Sequence, residues 1–261
     1  MVAPAHNYES RNILDLLSLK GKNAVVFGGA RGIGHAICSV FAEAGANAFI
    51  VYNTTPGEKA AKEIAQANGV KTYTCKCDVT IPKEVEHAFA EIQKVFDTID
   101  IVVPNNGICT GKSAIDMTYE EFANEINVNL LGVFNVAHNA GPIFQKQGHG
   151  SLVATASMSG VVVNVPQQQC AYNTSKAGVI QLIKSLAVEW RKFARVNCVS
   201  PGYTTSDMTG GKFHKEWEPY TPFERNGLAK EIASAYLYLA SDAASYASGT
   251  NLIVDGGYTS I

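Results

Sequence analysis

The sequence predicts a single α/β domain in which a doubly wound parallel sheet of about seven strands carries helices on both faces. Short runs rich in β-branched residues alternate with amphipathic segments of helix length, which is typical of βαβ units. A cluster of glycines separates the first of these runs from the first long helical segment. The chain of 261 residues has no internal repeat and is long enough to bury a sizeable core.

The predicted strands are short apolar runs, in chain order "NAVVF", "AFIVY", residues 70–77, "IDIVVP", "SLVATA", "RVNCVS" and "NLIVD". Residues 1–19 form an N-terminal extension that is polar apart from "ILDLLSL", which predicts one turn of helix packed on the domain formed by residues 20–261. Residues 203–227 show no clear periodicity. A compact domain rarely keeps so long a loop without a use, so we interpret this stretch as a substrate lid.

Composition and charge exclude several classes of protein. A net charge of −2 leaves no basic excess to neutralise a phosphate backbone, so we expect no nucleic-acid partner. The apolar runs are shorter than the ~20 residues that a membrane helix needs, and Glu9 and Asp15 interrupt the N-terminus, so we expect a soluble, cytoplasmic protein with no membrane partner. The six cysteines include no C-x-x-C pair and predict reduced, mostly buried thiols, and the six histidines show no metal-binding spacing, so no metal is expected.

The glycine cluster lies in "VVFGGARGIGHAI", where Gly28, Gly32 and Gly34 have the spacing G-x-x-x-G-x-G. Between a strand and a helix, such glycines allow a sharp turn and let a pyrophosphate approach the backbone, while the helix N-terminus offers free N–H groups and a partial positive charge. Turns also collect glycine for purely conformational reasons. The cluster alone therefore leaves both interpretations open.

The end of the second strand, "FIVYNTT", distinguishes between two nucleotides. Folds that bind NAD often place a carboxylate there, which holds the ribose hydroxyls and repels a 2′-phosphate. This chain has Asn53 and Thr54 instead, and Arg31 of the glycine loop can pair with such a phosphate, so NADP(H) is predicted. The alternative is that Arg31 is a solvated cation and Asn53 a turn former. Asp78, after the third strand, either accepts a hydrogen bond from the adenine amine or caps a helix that begins near Pro82.

A possible proton donor lies in "AYNTSKAG". Tyr172 and Lys176 are four residues apart and share one face of a helix. A nearby cation favours the phenolate and would lower the tyrosine pKa by about two to three units, enough for acid–base work near neutral pH. The lysine can also bind ribose hydroxyls. A lone Y-x-x-x-K is common by chance on exposed helix faces.

Two neighbouring side chains strengthen this interpretation. Ser157 follows the strand in "SLVATASMSG", where its hydroxyl can polarise a carbonyl at the carboxyl edge of the sheet. Asn129 in "INVNLLGVF" lies inside a predicted helix, which is unfavourable for asparagine unless its side chain has a task.

Together these residues resemble the short-chain dehydrogenase/reductase family, whose members pair a T-G-x-x-x-G-x-G loop with an Asn-Ser-Tyr-Lys tetrad. The resemblance covers nearly the whole chain from about residue 20 and implies a Rossmann-like fold. It implies that Tyr172 donates or accepts the proton and that Lys176 lowers its pKa and binds the nicotinamide ribose. Ser157 would hold the carbonyl oxygen and Asn129 would anchor a water for proton relay. Ser159 is the alternative serine, although the family's S-x-x-G pattern favours Ser157.

Further segments follow the same family. "NCVSPGYTTSDM" resembles its N-x-V-x-P-G segment, which orients the nicotinamide carboxamide, and "VDGGY" resembles its closing strand and turn. Phe27 replaces a usual threonine, and "PNNG" replaces N-N-A-G, so that Asn106 stands where the family has alanine. The family's side chains at these positions tie neighbouring strands together, so the departures bear on local rigidity and cofactor affinity. The residues expected at the cofactor are Gly28, Arg31, Gly32, Ile33, Gly34, Asn53, Thr54, Asp78, Val79, Asn105, Gly107, Tyr172, Lys176, Pro201, Gly202, Thr204 and Ser206.

The substrate is predicted from "ASMSGVVVNVPQQQCAYNTSK", which resembles the corresponding segment of fungal NADP-dependent mannitol dehydrogenases, sorbose reductases and related carbonyl reductases. Amides such as Asn164 and those of residues 167–169 both donate and accept, which suits a polyhydroxylated chain, although the glutamines can equally form a solvated loop. Trp217, Tyr220 and Phe223 either cover a substrate face or pack the lid down. The expected substrate contacts are Ser159, Gln167, Tyr203 and Trp217.

We therefore expect an NADPH-dependent reductase that transfers hydride to the keto group of a ketose such as fructose, sorbose or xylulose, and that oxidises the sugar alcohol in reverse. A carbonyl reductase of broader or non-sugar specificity is the alternative within the same class. A dinucleotide-binding sensor or scaffold without turnover is the alternative from a different class. The resemblance also implies a homotetramer.

Overall fold

The computed structural model describes residue 8, residues 11–205 and residues 214–261, without the side chains of His214 and Glu216. Its strands are β1 (Asn23–Phe27), β2 (Asn47–Tyr52), β3 (Thr72–Lys76), β4 (Ile101–Pro104), β5 (Ser151–Thr155), β6 (Arg195–Pro201), β7 (Thr204–Thr205), β8 (Gly227–Leu228) and β9 (Asn251–Val254). Seven of these described strands form one parallel sheet in the order β3-β2-β1-β4-β5-β6-β9. The strand order reverses between β1 and β4, and such a switch point opens a crevice at the carboxyl ends of the strands.

Helices on both faces complete the fold that the sequence predicts. They are α1 (Ile13–Leu17), α2 (Gly32–Glu43), α3 (Glu58–Asn68), α4 (Pro82–Val95), α5 (Tyr119–Ile126), α6 (Gly132–Gln147), α7 (Cys170–Glu189), α8 (His214–Trp217) and α9 (Ala229–Ala240), with a π-helical turn at Asn127–Leu131 between α5 and α6. Helices α4, α6 and α7 pack on one face of the sheet, and α2, α3 and α9 pack on the other. No helix in the described ranges is long and apolar enough to cross a membrane.

The central strands are buried on both faces. Successive side chains of β1 alternate between the two layers because side chains of a strand point to opposite sides of the sheet. Val25 and Phe27 join the cluster under α4, α6 and α7, whereas Ala24 and Val26 join the cluster under α2, α3 and α9. A parallel sheet covered on both faces needs continuous apolar strands rather than alternating ones, which is why the strand runs are easy to find in the sequence.

The described part of the N-terminal extension packs on the domain as predicted. The side chain of Asn12 accepts a hydrogen bond from the Leu14 N–H at 2.9 Å and starts the single turn of α1. Leu16 and Leu19 are buried, and the Leu19 N–H donates to the Ala44 carbonyl at the end of α2. The "ILDLLSL" segment is therefore anchored by two of its apolar side chains, Leu16 and Leu19.

The predicted lid contains regular structure in its described parts. Strands β7 and β8 pair in parallel, and α8 continues into a 3₁₀ turn at Glu218–Tyr220. Elements of two to four residues are too short to produce a periodic sequence pattern. Ser206, one of the residues expected at the cofactor, lies outside the described residues.

Candidate active site

A cleft of about 980 Å³ lies at the carboxyl ends of the strands, where the switch point opens the sheet. Two predicted site residues, Gly34 and Asn129, do not line it. The predicted residues that do line it are Gly28, Arg31, Gly32, Ile33, Asn53, Thr54, Asp78, Val79, Asn105, Gly107, Ser157, Ser159, Gln167, Tyr172, Lys176, Pro201, Gly202, Tyr203, Thr204 and Trp217.

The glycine loop has the shape that a phosphate site requires. Gly28 and Gly32 have φ values of 72° and 55°, which glycine adopts far more readily than other residues. The loop leads into α2, and no side chain caps the N-terminus of this helix. Uncapped N–H groups at a helix start fit the negative charge of a pyrophosphate.

Gly34 has a structural role, and its predicted contact with the cofactor stays a prediction. It is buried in the first turn of α2, and a Cβ atom there would lie 2.0 Å from the Gly28 carbonyl oxygen and 2.6 Å from Nδ2 of Asn105. The missing side chain therefore lets the helix approach the β1 turn closely.

The far end of the cleft combines a cation with neutral polar side chains. Arg31, Asn53 and Thr54 line the cleft and are exposed. No carboxylate ends β2, and the nearby carboxylate of Glu58 accepts a hydrogen bond from the Tyr52 hydroxyl at 2.6 Å. These groups fit a 2′-phosphate, since the guanidinium offers charge-assisted hydrogen bonds and no acidic side chain stands at the strand end to repel it.

Asp78 does not cap α4, so that alternative is wrong. The residue at the N-cap of α4 is Ile81, and no side chain caps it. The Asp78 carboxylate instead accepts hydrogen bonds from the Thr80 backbone N–H at 2.9 Å and the Thr80 hydroxyl at 2.7 Å. Partial burial acts to raise the pKa of Asp78, but the hydrogen bonds from Thr80 and Asn53 outweigh it and hold the pKa below its usual range. The side chain is thus an ionised acceptor on the cleft wall.

Neighbouring strands are tied together despite the two departures from the family pattern. Nδ2 of Asn105 donates to the Gly28 carbonyl at 3.1 Å, and its Oδ1 accepts from the Thr155 hydroxyl at 2.9 Å. The same hydroxyl lies 2.6 Å from the Tyr236 hydroxyl of α9. These bonds link the ends of β1, β4 and β5, so the floor of the cleft keeps its rigidity with Phe27 buried beside it.

The three central members of the predicted tetrad meet in the cleft. Tyr172 on α7 hydrogen-bonds Ser157, which follows β5. Nζ of Lys176 lies 5.6 Å from the centre of the Tyr172 ring and donates to the Thr155 carbonyl at 2.9 Å. The four-residue spacing therefore brings both side chains to one point, as predicted.

The prediction that Lys176 lowers the pKa of Tyr172 is wrong for the chain by itself. Burial raises the pKa of Tyr172 to about 12, and the charges of Cys109 and Glu125 raise it further against the opposing hydrogen bond to Ser157. Burial also lowers the pKa of Lys176 from 10.5 to about 8. Removing both groups from water outweighs their attraction, so Tyr172 carries its proton at neutral pH.

Asn129 has a task, although it is not at the cleft. It is fully buried in the π-helical turn, its Oδ1 accepts from the Ile108 N–H at 2.8 Å, and its Nδ2 donates to the Ile108 carbonyl at 2.9 Å and to the Ser175 hydroxyl at 3.0 Å. The side chain holds the segment after β4 against α7. The water relay that the resemblance implies stays a prediction.

A set of polar and aromatic side chains forms the other end of the cleft. The Tyr203 hydroxyl accepts from Nε2 of Gln167 at 2.8 Å, and the Tyr203 ring stacks on Trp217 with 4.3 Å between centroids. Gln169 lines the cleft as well, whereas Gln168 is exposed outside it. Two lid aromatics, at positions 220 and 223, are exposed and do not line the cleft, so they do not cover a substrate there.

Sequence reasoning missed several residues near the site, and four of them bear on its chemistry. Thr155, Asn106 and Cys109 line the cleft, and Cys109 is exposed, unlike most of the other thiols. Glu125 is fully buried, and one of its carboxylate oxygens accepts a hydrogen bond from the Thr110 N–H while the other has no partner among the described residues. A glutamate on an amphipathic helix usually lies on the solvated face, so no local signal marks it. The described residues contain no group of three or more metal-ligating side chains.

Comparisons with known proteins agree with this geometry. Residues 28–259 match a family model described as enoyl-(acyl carrier protein) reductase. The chain is 46% identical to a sorbose reductase of Candida albicans over 95% of this chain and 90% of that protein. It is 43% identical to an NADP-dependent mannitol dehydrogenase of Hypocrea jecorina over 96% and 97% of the two chains. The fold is similar to the crystal structure of a short-chain type dehydrogenase/reductase from Mycobacterium marinum, with a TM-score of 0.92 and 40% sequence identity. The match covers 95% of this chain and 99% of that chain. With the glycine loop, the Ser-Tyr-Lys cluster and these relatives in agreement, the chain belongs to the short-chain dehydrogenase/reductase family of oxidoreductases.

Proposed function

We propose that the protein is an NADPH-dependent reductase that converts the keto group of a ketose, such as fructose, sorbose or xylulose, to an alcohol and runs reversibly. One observation carries the proposal. The protonated phenol of Tyr172 hydrogen-bonds Ser157 beside the buried Lys176, inside a cleft that continues from a phosphate-binding loop to a wall of amide and hydroxyl groups.

The residues of the cleft support NADP(H) as the nucleotide. The α2 N-terminus would hold the pyrophosphate, Arg31 the 2′-phosphate and Lys176 the nicotinamide ribose. The mannitol dehydrogenase relative is named as NADP-dependent. When bound, NADPH supplies the hydride that reaches the carbonyl carbon.

The chain itself supplies the proton and the orientation. Ser157 would turn its hydroxyl hydrogen from Ser159 to the carbonyl oxygen and fix the position of that oxygen. Tyr172 would give its phenolic proton to the same oxygen as negative charge develops there, and the raised pKa keeps that proton in place before the reaction. Lys176, held by the Thr155 carbonyl at 2.9 Å, would stabilise the phenolate that remains.

The substrate end supports a polyhydroxylated ketone. Asn164, Gln167, Gln169 and Tyr203 all line the cleft and all both donate and accept hydrogen bonds. Two relatives are named for sugar or polyol substrates, as sorbose reductase and mannitol dehydrogenase.

The test is NADPH oxidation against fructose, sorbose, xylulose and simple ketones, with NADH in parallel. We expect turnover with at least one ketose and NADPH, and a loss of about a thousandfold in kcat/KM for Tyr172→Phe with NADPH affinity unchanged. Turnover restricted to simple ketones would favour the broader carbonyl reductase. Tight NADPH binding without turnover of any ketone would favour a sensor or scaffold.

The cellular compartment and the oligomeric state of the enzyme are part of the same proposal. All six cysteines are free thiols, which supports a reducing compartment such as the cytoplasm. We also propose a homotetramer, as the family resemblance implies.

A further inference from the structure

Gln169 has an amide group whose orientation is fixed by its neighbours. The side chain is buried at the cleft wall, one position before α7. Its Nε2 lies 3.0 Å from Oδ1 of Asn173, 3.1 Å from Oδ1 of Asn164 and 3.2 Å from Oγ of Ser159. An amide nitrogen has two hydrogens, so three acceptors saturate it.

With the amides of Asn164 and Asn173 as they are placed, the reverse orientation of the Gln169 amide is unfavourable. It would bring the carbonyl oxygen of Gln169 against the carbonyl oxygens of Asn164 and Asn173, and none of the three can donate. Oε1 of Gln169 therefore points the other way, where it lies 3.9 Å from the Cys109 thiol, itself a cleft-lining group. A thiol is a weak donor, so this oxygen keeps most of its capacity to accept a hydrogen bond.

Ser159 links the amide of Gln169 to the serine of the reacting group. Ser157 donates to Oγ of Ser159 at 3.1 Å, and Nε2 of Gln169 donates to the same oxygen at 3.2 Å. Gln169 is thus two hydrogen bonds from the serine that would hold the substrate carbonyl. A hydroxyl on the carbon next to the carbonyl is the substrate group closest to the reacting centre, and it is the group that we expect to meet Gln169.

We infer that Gln169 is a specificity-determining residue: its Oε1 accepts a hydrogen bond from a hydroxyl group on the carbon adjacent to the reacting carbonyl, so the enzyme selects α-hydroxy ketones. This inference rests on the proposed reductase function and names the residue that would recognise the α-hydroxyl group that every ketose carries. The substrate must supply a hydrogen-bond donor here, because the two N–H hydrogens of the Gln169 amide already bind neighbouring acceptors and only its Oε1 is left to accept. A methoxy group in place of the hydroxyl offers only an acceptor and is rejected.

The test compares three small ketones under NADPH oxidation: hydroxyacetone, 2-butanone, which replaces the hydroxyl by a methyl group of similar size, and methoxyacetone. We expect the wild-type enzyme to prefer hydroxyacetone over both of the others by about tenfold or more in kcat/KM. Gln169→Met keeps the length of the side chain without its polar atoms, and it should reduce that preference to about threefold or less, mainly through the loss of hydroxyacetone activity. Gln168→Met is the matched control, since this neighbour is exposed and outside the cleft, and it should keep the wild-type preference.

Each other outcome counts against the inference. Equal losses on all three ketones in Gln169→Met would show a structural role only, and an unchanged preference would show that the hydroxyl is bound elsewhere. A wild-type enzyme that reduces all three ketones equally would overturn the inference and leave the reductase function standing. An enzyme that oxidises no NADPH with any ketone, including the ketoses, would overturn the proposed function and the inference with it.

Discussion

Burial sets the charge states of the two ionisable side chains at the centre of the cleft. Lys176 is 2% exposed, and its ammonium has the Thr155 carbonyl as hydrogen-bond acceptor in place of water. A single backbone dipole does not replace full hydration of a cation. The pKa of the lysine therefore falls to about 8, whereas the pKa of Tyr172 rises to about 12.

The lowered lysine pKa predicts a pH-dependent stability of the nucleotide-free protein. Between pH 8 and 10.5 the unfolded chain holds a proton on Lys176 that the folded chain has lost, so the free energy of unfolding rises with pH in this window. Relative to Lys176→Met, the wild type should gain about 2 to 3 kcal/mol between pH 7 and pH 10 in urea unfolding. Lys184→Met on the exposed face of α7 is the control, and because it keeps Lys176 it should keep the pH profile of the wild type. Parallel pH profiles of wild type and Lys176→Met would show that the lysine keeps its ordinary pKa.

Arg31 provides the second prediction at this scale. Arg31 lines the cleft with Asn53 and Thr54, where we propose that the 2′-phosphate binds, the group by which NADPH differs from NADH. Arg31→Ser should weaken NADPH binding by about tenfold through the loss of a charge-assisted contact and leave NADH binding unchanged, as measured by calorimetry. Lys62→Ser on the exposed side of α3 serves as a control for net charge. A loss of the same size for both nucleotides would place Arg31 at the pyrophosphate instead.

At the scale of elements, the approach of α2 to β1 depends on the missing side chain of Gly34. A methyl group there would meet the Gly28 carbonyl at 2.0 Å, and backbone on that side cannot give way without moving the turn. Gly34→Ala should lower the free energy of unfolding by about 1 to 3 kcal/mol, and it should weaken NADPH binding, since we propose that the same turn binds the pyrophosphate. Ser39→Ala on α2 should change stability by about 0.5 kcal/mol or less. If Gly34→Ala matches that control in denaturant titrations, the helix can shift without cost.

The sequence did not predict the elements whose conformation depends on contacts between residues that are far apart in the chain. The buried strands are continuous apolar runs, so the alternation of strand and helix could be found from local pattern alone. The π-helical turn around Asn129 leaves only one local sign, an asparagine inside a helix, because its cause is the bonding of that side chain to Ile108 and Ser175. The role of Asp78 could not be predicted from local sequence either. An aspartate that caps a helix and an aspartate in an Asx turn have the same local sequence, and they differ only in which backbone N–H donates to the carboxylate.

At the scale of the whole molecule, the site is the meeting point of distant segments. The single residue Thr155 makes hydrogen-bond contacts with Asn105 after β4, Lys176 on α7 and Tyr236 on α9. Motif spacing located Tyr172 and Lys176 correctly, because both lie on one helix. The direction of their pKa shifts could not be read from spacing, because it depends on burial by β5, β6 and the segment after β4, which are far away in the chain.

The outer surface of α6 and α7 provides the last prediction. A groove between these helices is lined by Phe134, Leu186, Trp190 and Phe193, and Phe134 remains 46% exposed. Exposed aromatic groups on paired helices are typical of surfaces that a second copy covers. If this surface is a contact of the proposed homotetramer, light scattering should give about four times the mass of one chain, and Phe134→Glu should reduce that mass by placing a charge in the apolar contact. Phe223→Glu, on an exposed residue of the lid, should leave the mass unchanged. A wild-type protein with the mass of one chain would contradict the tetramer, and a Phe134→Glu protein that keeps the full mass would move the contact to another face.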